Sequence, residues 1–352
     1  MIKLLITGDI HYMHANPSAR LDSYSEAVGT KLHEVSELAR RHAVEAVIIP
    51  GDIFNSPNVS IPTIISLIKI LKTFSCPVLT IPGSHDEYSH NIKTTYRSPY
   101  SLLYALEYTH CLQNSSWIFT DIESSIDGLI TGHGFDADTD FDLSQYGMVP
   151  GDVGNFTGIC QTCPQKDGQL HPFYIHVAHG MLMDEDPGQI PRYTFVSRLT
   201  ELPEELQPHV LVCGHYHFGL KLQKVGKTLI INPGAISRVK AHVKEMNRPI
   251  QVALLSINSP EDYHAEFISL ETALPGEKVL SREHIEAEKE ANAMMDEFLA
   301  LLASEGESKF LEVRDIVEDI AARDNIPEAV KQEALERLGR ARERVAKTEV
   351  AG

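Results

Sequence analysis

Five short motifs, far apart in this 352-residue chain, each follow an apolar run and each carry side chains able to bind a metal ion. They read Asp9-Ile10-His11, Gly51-Asp52, Gly83-Ser84-His85-Asp86, His179-Gly180 and Gly214-His215-Tyr216-His217. The runs before them, Ile2 to Thr7, Ala46 to Ile49, Val78 to Ile81, Phe173 to Val177 and Val210 to Cys213, are short, apolar and rich in β-branched residues. That pattern predicts buried strands. Ligand residues at strand ends along one sheet edge are where open α/β proteins place their sites.

The spacing constrains the chemistry. In an extended segment residues i and i+2 point to the same side, so Asp9 and His11 can grip one ion together, and His215 and His217, at the same spacing, can face one metal centre. A carboxylate has two oxygens, which suits Asp52 to a bridge between two ions. Carboxylate and imidazole without thiolate fit Mn²⁺, Fe²⁺ or Zn²⁺ better than a structural zinc site. Two such ions roughly 3.5–4 Å apart lower the pKa of a bridging water and clamp phosphate oxygens. Each fragment alone is weak, since a lone histidine after a strand is commonly a core or surface residue. All five in this order make coincidence a poor explanation.

Length and composition fit this reading. Two domains are the ordinary expectation at this length, and 43% hydrophobic residues suffice for a sizeable core. Gly8-Asp9 interrupts the first apolar run too early for a signal peptide or membrane span, and no later uncharged stretch is long enough to span. Five scattered cysteines point to a reducing, cytoplasmic setting rather than a disulfide framework. Cys160 and Cys163 have metal-ligand spacing, but only His171 is near enough to help, so free thiols are the expectation. The net charge of −18 counts against strong autonomous nucleic-acid binding, which usually needs a basic face. Arg238, Lys240, Lys244 and Arg248 form the best local basic cluster, and a solvated face is the expected role for them.

At its motifs the chain resembles the calcineurin-like metallophosphoesterases over about its first 270 residues. Gly51-Asp52-Ile53-Phe54-Asn55, Ala178-His179-Gly180-Met181 and Ile231-Asn232-Pro233-Gly234-Ala235-Ile236-Ser237-Arg238 are most similar to SbcD-type DNA-repair nucleases. The resemblance implies an α/β four-layer sandwich, two central mixed sheets flanked by helices. It implies two divalent ions, Mn²⁺ first and Fe²⁺ or Zn²⁺ next: one on Asp9, His11, Asp52 and His217, the other on Asp52, His179 and His215. His85 would contact the phosphate and protonate the leaving oxygen, work that suits a neutral-range pKa. Asp86 would either orient His85 or cap the following segment. The family carries Asn where this chain has Ser84, and a hydroxyl is a shorter and weaker ligand than an amide carbonyl.

Residues 1–272 are expected to form the phosphoesterase domain, with helices over Lys31 to Ala43 and Ile61 to Phe74, an insertion over 136–169, and closing strands Gln251 to Ile257 and Ala265 to Leu270. Residues 273–352 read as a helical C-terminal region with three apolar stripes, from Ala291 to Leu302, Val313 to Ile320 and Val330 to Val345. The resemblance implies DNA as substrate, an SbcC-like ATPase docking on those helices, no membrane, and room for a homodimer. Two other readings stand beside the nuclease. One is a small-substrate phosphodiesterase or phosphatase, and the other a catalytically weakened, partner-recruiting subunit.

Overall fold

A computed structural model describes residues 1–121, 126–136, 140–148, 171–185 and 192–281, with Glu283, Glu286 and Lys331. The chain divides into two compact units, Met1–Ile285 and Glu286–Gly352. The three C-terminal stripes, the Cys160/Cys163 pair and most of the 136–169 insertion lie outside the described residues. The first unit runs past the expected boundary at residue 272 because the next segment packs back on it: Leu21 N–H donates to Val279 O (3.0 Å) and Ser281 N–H to Ala19 O (2.8 Å).

In chain order the described strands are β1 (Ile2–Ile6), β2 (Ala46–Ile49), β3 (Val78–Thr80), β4 (His110–Cys111), β5 (Ser116–Asp121), β6 (Ile126–His133), β7 (His171–His179), β8 (Leu182–Met183), β9 (Thr194–Phe195), β10 (Val210–Gly214), β11 (Gln223–Val225), β12 (Thr228–Ile231), β13 (Gln251–Ile257) and β14 (Tyr263–Ser269). They form two six-stranded mixed sheets, ordered β14-β13-β1-β2-β3-β4 and β11-β12-β10-β7-β6-β5, and a small β8-β9 pair. The pairs β1-β2, β2-β3 and β3-β4 are parallel in the first sheet, and β6-β7, β7-β10 and β10-β12 in the second.

Alternation of side chains across each strand sorts the core into layers. Ile2, Leu4, Ile6, Ile48 and Leu79 face Ile130, Ile175, Val177 and Val212 between the sheets. Leu5, Val47 and Ile49 point the other way, onto helices α1 (Tyr24–His42) and α2 (Ile61–Leu71). The outer face of the second sheet packs Ala178, Leu211 and Cys213 against Tyr146, Val196, Leu199 and Leu202. Among the described residues that cover is built from short 3-10 turns, Leu143–Tyr146 and Val196–Glu201. Strands buried on both faces explain why the parallel segments read as continuous apolar runs. The α1 helix starts seven residues before the expected Lys31, because Tyr24 and Val28 continue its buried face.

Candidate metal centre

The parallel strands of both sheets end at one place. β1 delivers Asp9 and His11, β2 Asp52, β3 the Ser84-His85 turn, β7 His179 and β10 His215 and His217. Backbone bonds fuse these ends. The N–H groups of Ile10 and His11 both donate to Asp52 O (3.1 and 2.8 Å), and His215 N–H donates to the Asp9 carboxylate (3.0 Å to Oδ2). The α1 residue Tyr24 donates its hydroxyl to His11 O at 2.9 Å.

The backbone is strained where it presents ligands. His11 (φ 51°), Asp52 (φ 48°) and His215 (φ 80°) all occupy the left-handed region, a cost that persists at functional sites where surrounding structure enforces it. Gly83 must be glycine, since a Cβ there would collide with the backbone nitrogen and carboxylate of Asp52.

Two ligand groups result. Asp9, His11, Asp52 and His217 form one, and Asp52, His179 and His215 the other, with the ligating atoms of each within 4.8 Å of one another. His11 Nε2 lies 2.8 Å from His217 Nε2 and 3.6 Å from Asp52 Oδ2. His179 Nε2 lies 3.4 Å from the same Asp52 oxygen and 3.1 Å from His215 Nδ1. The His179 Nδ1–H donates to Pro50 O at 2.7 Å, so a neutral ring aims a bare lone pair at a carboxylate oxygen. Only a proton or a cation relieves that contact, and the donor set fits two divalent ions.

Residues 2–219 match the calcineurin-like phosphoesterase family. The chain belongs to that family. Similar solved structures include a dimetal phosphatase from Danio rerio (13% identity, covering 76% of this chain and 96% of that one, TM-score 0.47). A Thermus thermophilus protein is another (14%, 76% and 99%, TM-score 0.44), as is a purple acid phosphatase from yellow lupin seeds (10%, 78% and 52%, TM-score 0.43). No curated protein gives a significant match.

The electrostatics of this phosphoesterase favour bound cations. Burial raises Asp9 to about 7. Burial alone would also raise Asp52, but His179 reverses this and holds its carboxyl well below the usual range. Burial opposes charge on His179, yet Asp52 outweighs it and raises the ring to about 10. Burial lowers His11, takes His215 to about 3 and His217 to about 4. Three imidazoles are thus kept neutral, the form that ligates metal.

His85 sits beside this cluster, its ring edge-on to His11 with centroids 4.8 Å apart. Its backbone N–H donates to Asp52 Oδ1 (2.7 Å) and its Nδ1 pairs with Asn55 O (2.8 Å). A carbonyl can only accept, so Nδ1 carries the hydrogen in this contact. The Asn55 carbonyl, not Asp86, orients this ring. Asp86 caps the neighbouring turn, accepting from the N–H groups of Gly83 (3.0 Å), Ile53 (3.1 Å) and Phe54 (2.9 Å). Ser84 is buried with its Oγ 3.5 Å from Asp52 Oδ2, the oxygen shared by both ligand groups.

Sequence reading missed Phe135, whose ring lies 5.4 Å from His215 and 6.1 Å from His179. Its signal was a further strand ending in Gly132-His133-Gly134, although His133 itself pairs with Asp136 (3.3 Å) instead of joining the cluster. The basic cluster needs correction. Arg238 and Arg248 are not a solvated face but are 5% and 6% exposed, because their guanidinium groups bond backbone carbonyls inside the fold; Lys240 and Lys244 are exposed. No helix among the described residues is long and apolar enough to cross a membrane.

Proposed function

We propose that this chain is a metal-dependent phosphodiesterase that cuts DNA, acting as the nuclease subunit beside an SbcC-like ATPase. Asp52 carries the hydrolytic part of the reading: one carboxylate oxygen, Oδ2, lies 3.6 Å from His11 Nε2 and 3.4 Å from His179 Nε2, at the seam of both ligand groups. Two divalent ions held there, with Mn²⁺ suited to the mixed donors, supply Lewis acidity and an acidified water. The chain's own part is to hold the phosphate beside His85 and to exclude bulk water with Phe135. His85, fixed through Nδ1–H by Asn55 O, acts as the imidazolium: it gives its Nε2 proton to the departing oxygen and is left as the neutral Nδ1–H ring.

The nuclease half of the proposal is supported by the resemblance at Gly51 to Asn55, Ala178 to Met181 and Ile231 to Arg238. Because the net charge is −18, the proposal gives much of the DNA contact to a partner. The same charge favours a second reading, a phosphodiesterase for small nucleotide esters. Full-length protein should hydrolyse both linear DNA and bis-p-nitrophenyl phosphate in Mn²⁺, and Asp52→Ala should abolish both together with most bound metal. The loss should exceed the roughly 10–100-fold that removal of an outer-shell partner costs. Turnover retained in Asp52→Ala sinks the shared-carboxylate site. Cleavage of nucleotide esters but never DNA, with the ATPase present, selects the second reading.

A further inference from the structure

Behind the loop that carries Ile236 lies a cavity of about 410 Å³, away from the metal ligands, whose wall includes Arg20, Asp22, Lys31, Arg238, Leu274 and Val279. Three cationic heads thus share one hollow, and Arg248 stands close behind. Their carboxylate partners at ion-pair distance are Asp22 for Arg20 (2.8 Å) and Glu245 for Arg248 (2.8 Å) and Arg238 (3.9 Å). Among the described residues Lys31 has no carboxylate at that distance, although its side chain is buried. Its Nζ makes one bond, to Ile236 O at 2.6 Å, and an ammonium has three donors.

We propose that this cavity binds a phosphate-class oxyanion, such as inorganic phosphate or a phosphomonoester group, at a site distinct from the metal centre. The guanidinium groups are already immobilised, Arg238 by Glu245 O (2.8 Å), Leu274 O (2.8 Å) and Arg248 O (2.7 Å), and Arg20 by Arg238 O (3.1 Å) and Asp22. Little side-chain ordering is left to oppose binding, and each guanidinium retains donors not used in these bonds. Burial and the three neighbouring arginines lower Lys31 to about 7, the sign of a cation short of negative partners. The mouth is framed by the start of α1, where Ser23 makes no side-chain cap and Asn16 Oδ1 takes only the Tyr24 N–H (2.7 Å), so the helix dipole adds favourable potential for an anion. Glu26, exposed and also lining the cavity, limits the site to ligands that approach on the arginine side. Lys31 reaches Ile236 O while Ile236 N–H donates to Asp9 O at 3.0 Å, so occupancy is linked to the loop that holds a metal ligand.

Equilibrium dialysis of radiolabelled inorganic phosphate at fixed ionic strength tests this, using chelator-treated full-length protein. The parent and Asp52→Ala should each bind one phosphate per chain, since Asp52 belongs only to the metal centre. Lys31→Met should weaken that binding by about tenfold or more, as expected for loss of a buried charge partner. Thr30→Glu, an exposed substitution on the cavity wall, should do the same without touching the core and guards against a misfolded Lys31→Met. Absence of saturable binding, or binding lost in Asp52→Ala but intact in Lys31→Met and Thr30→Glu, overturns the proposal and leaves the cluster as a carbonyl clamp.

Discussion

The loop from Asn232 to Arg238 separates two buried charge clusters that are stabilised in opposite ways. On one side, Asp9 and Asp52 are packed among imidazoles; on the other, Arg20, Lys31, Arg238 and Arg248 are packed among carbonyl oxygens. Ala235 and Ile236 serve both. Their N–H groups donate to His217 O (2.9 Å) and Asp9 O (3.0 Å), while their carbonyls accept from Arg248 (2.6 Å) and Lys31 (2.6 Å). The cationic cluster draws most of its partners from the chain's own backbone, so it can fold unaided. The carboxylate–imidazole cluster turns the bare His179 lone pair toward Asp52 and is relieved by a proton or by cations from outside. One cluster is self-supporting before it binds anything, and the other is not.

The sharpest way to break that contrast is to strike each side and compare kinetics with stability. On the site side, His85→Ala should keep both metals and the fold while losing roughly 10²–10⁴-fold in rate on DNA. The loss should shrink for p-nitrophenyl esters, whose leaving group needs no proton; an equal loss on both substrates argues for a binding role. On the structural side, Arg248→Met removes the bonds to Ala235 O and Ser237 O and strips Glu245 of its nearest partner. Breaking a buried pair in this way costs about 3–5 kcal/mol, readable by urea unfolding of the chelated protein. If Arg248→Met instead left stability intact and reduced only the rate, the division into a self-supporting and a cation-dependent cluster would be wrong.

The two clusters also differ in how far the sequence announces them. The candidate metal ligands could be picked out because each follows a strand buried on both faces, although His11 and His215 take left-handed rather than extended backbone there. The arginines look like any surface run, since nothing local shows that the carbonyls of Ala235, Ser237 and Leu274 will turn inward to meet them. The same holds for the sheets. Strands β1, β2, β3, β7 and β10 are mostly apolar, whereas β5 is an edge strand with alternating exposure. Strand β6 is interrupted by Asp127, Gly128 and Gly132 despite being almost wholly buried. Phe135, which follows β6, was hidden with it. The orienting groups for His179 and His85 are the backbone oxygens of Pro50 and Asn55, which no side-chain pattern encodes.

A smaller effect sharpens the contrast by pH. Burial raises Asp9 from 3.8 to about 7, so between those values the folded chain holds a proton that the unfolded chain has released. Stability contributed by this group is complete below pH 4 and is lost as pH rises through about 7. In chelator, the parent should therefore lose stability relative to Asp9→Asn across that window, by at most about 1.4 kcal/mol per pH unit, the slope for one proton. His11, His215 and His217 are lowered, and their contributions are lost as pH falls below their ordinary value of 6.5. Only the difference curve isolates Asp9. A flat difference between pH 4 and 7 shows that Asp9 is already ionised without metal, and that the cluster tolerates its charges unaided.

The finest test is Ser84, where the chain departs from its family. The Ser84 hydroxyl stands 3.5 Å from Asp52 Oδ2, at the limit of hydrogen-bond distance, so it neither holds that oxygen tightly nor offers a charged ligand. The ion on Asp52, His179 and His215 should then bind more weakly than its neighbour, which has Asp9, His11, Asp52 and His217. Activity should rise in two phases as Mn²⁺ is added, the second phase tracking the weaker ion. Ser84→Asn supplies an amide carbonyl with the longer reach and should move the second phase to lower Mn²⁺, by roughly tenfold or less, the low end of what a single metal-site contact is worth. Its maximal rate should stay near that of the parent, because His85 and Asp52 are unchanged. If Ser84→Asn leaves the Mn²⁺ dependence where it was, and the parent already carries two ions at low Mn²⁺, then serine is the adapted residue here. The cluster would then be completed by its remaining imidazoles and water.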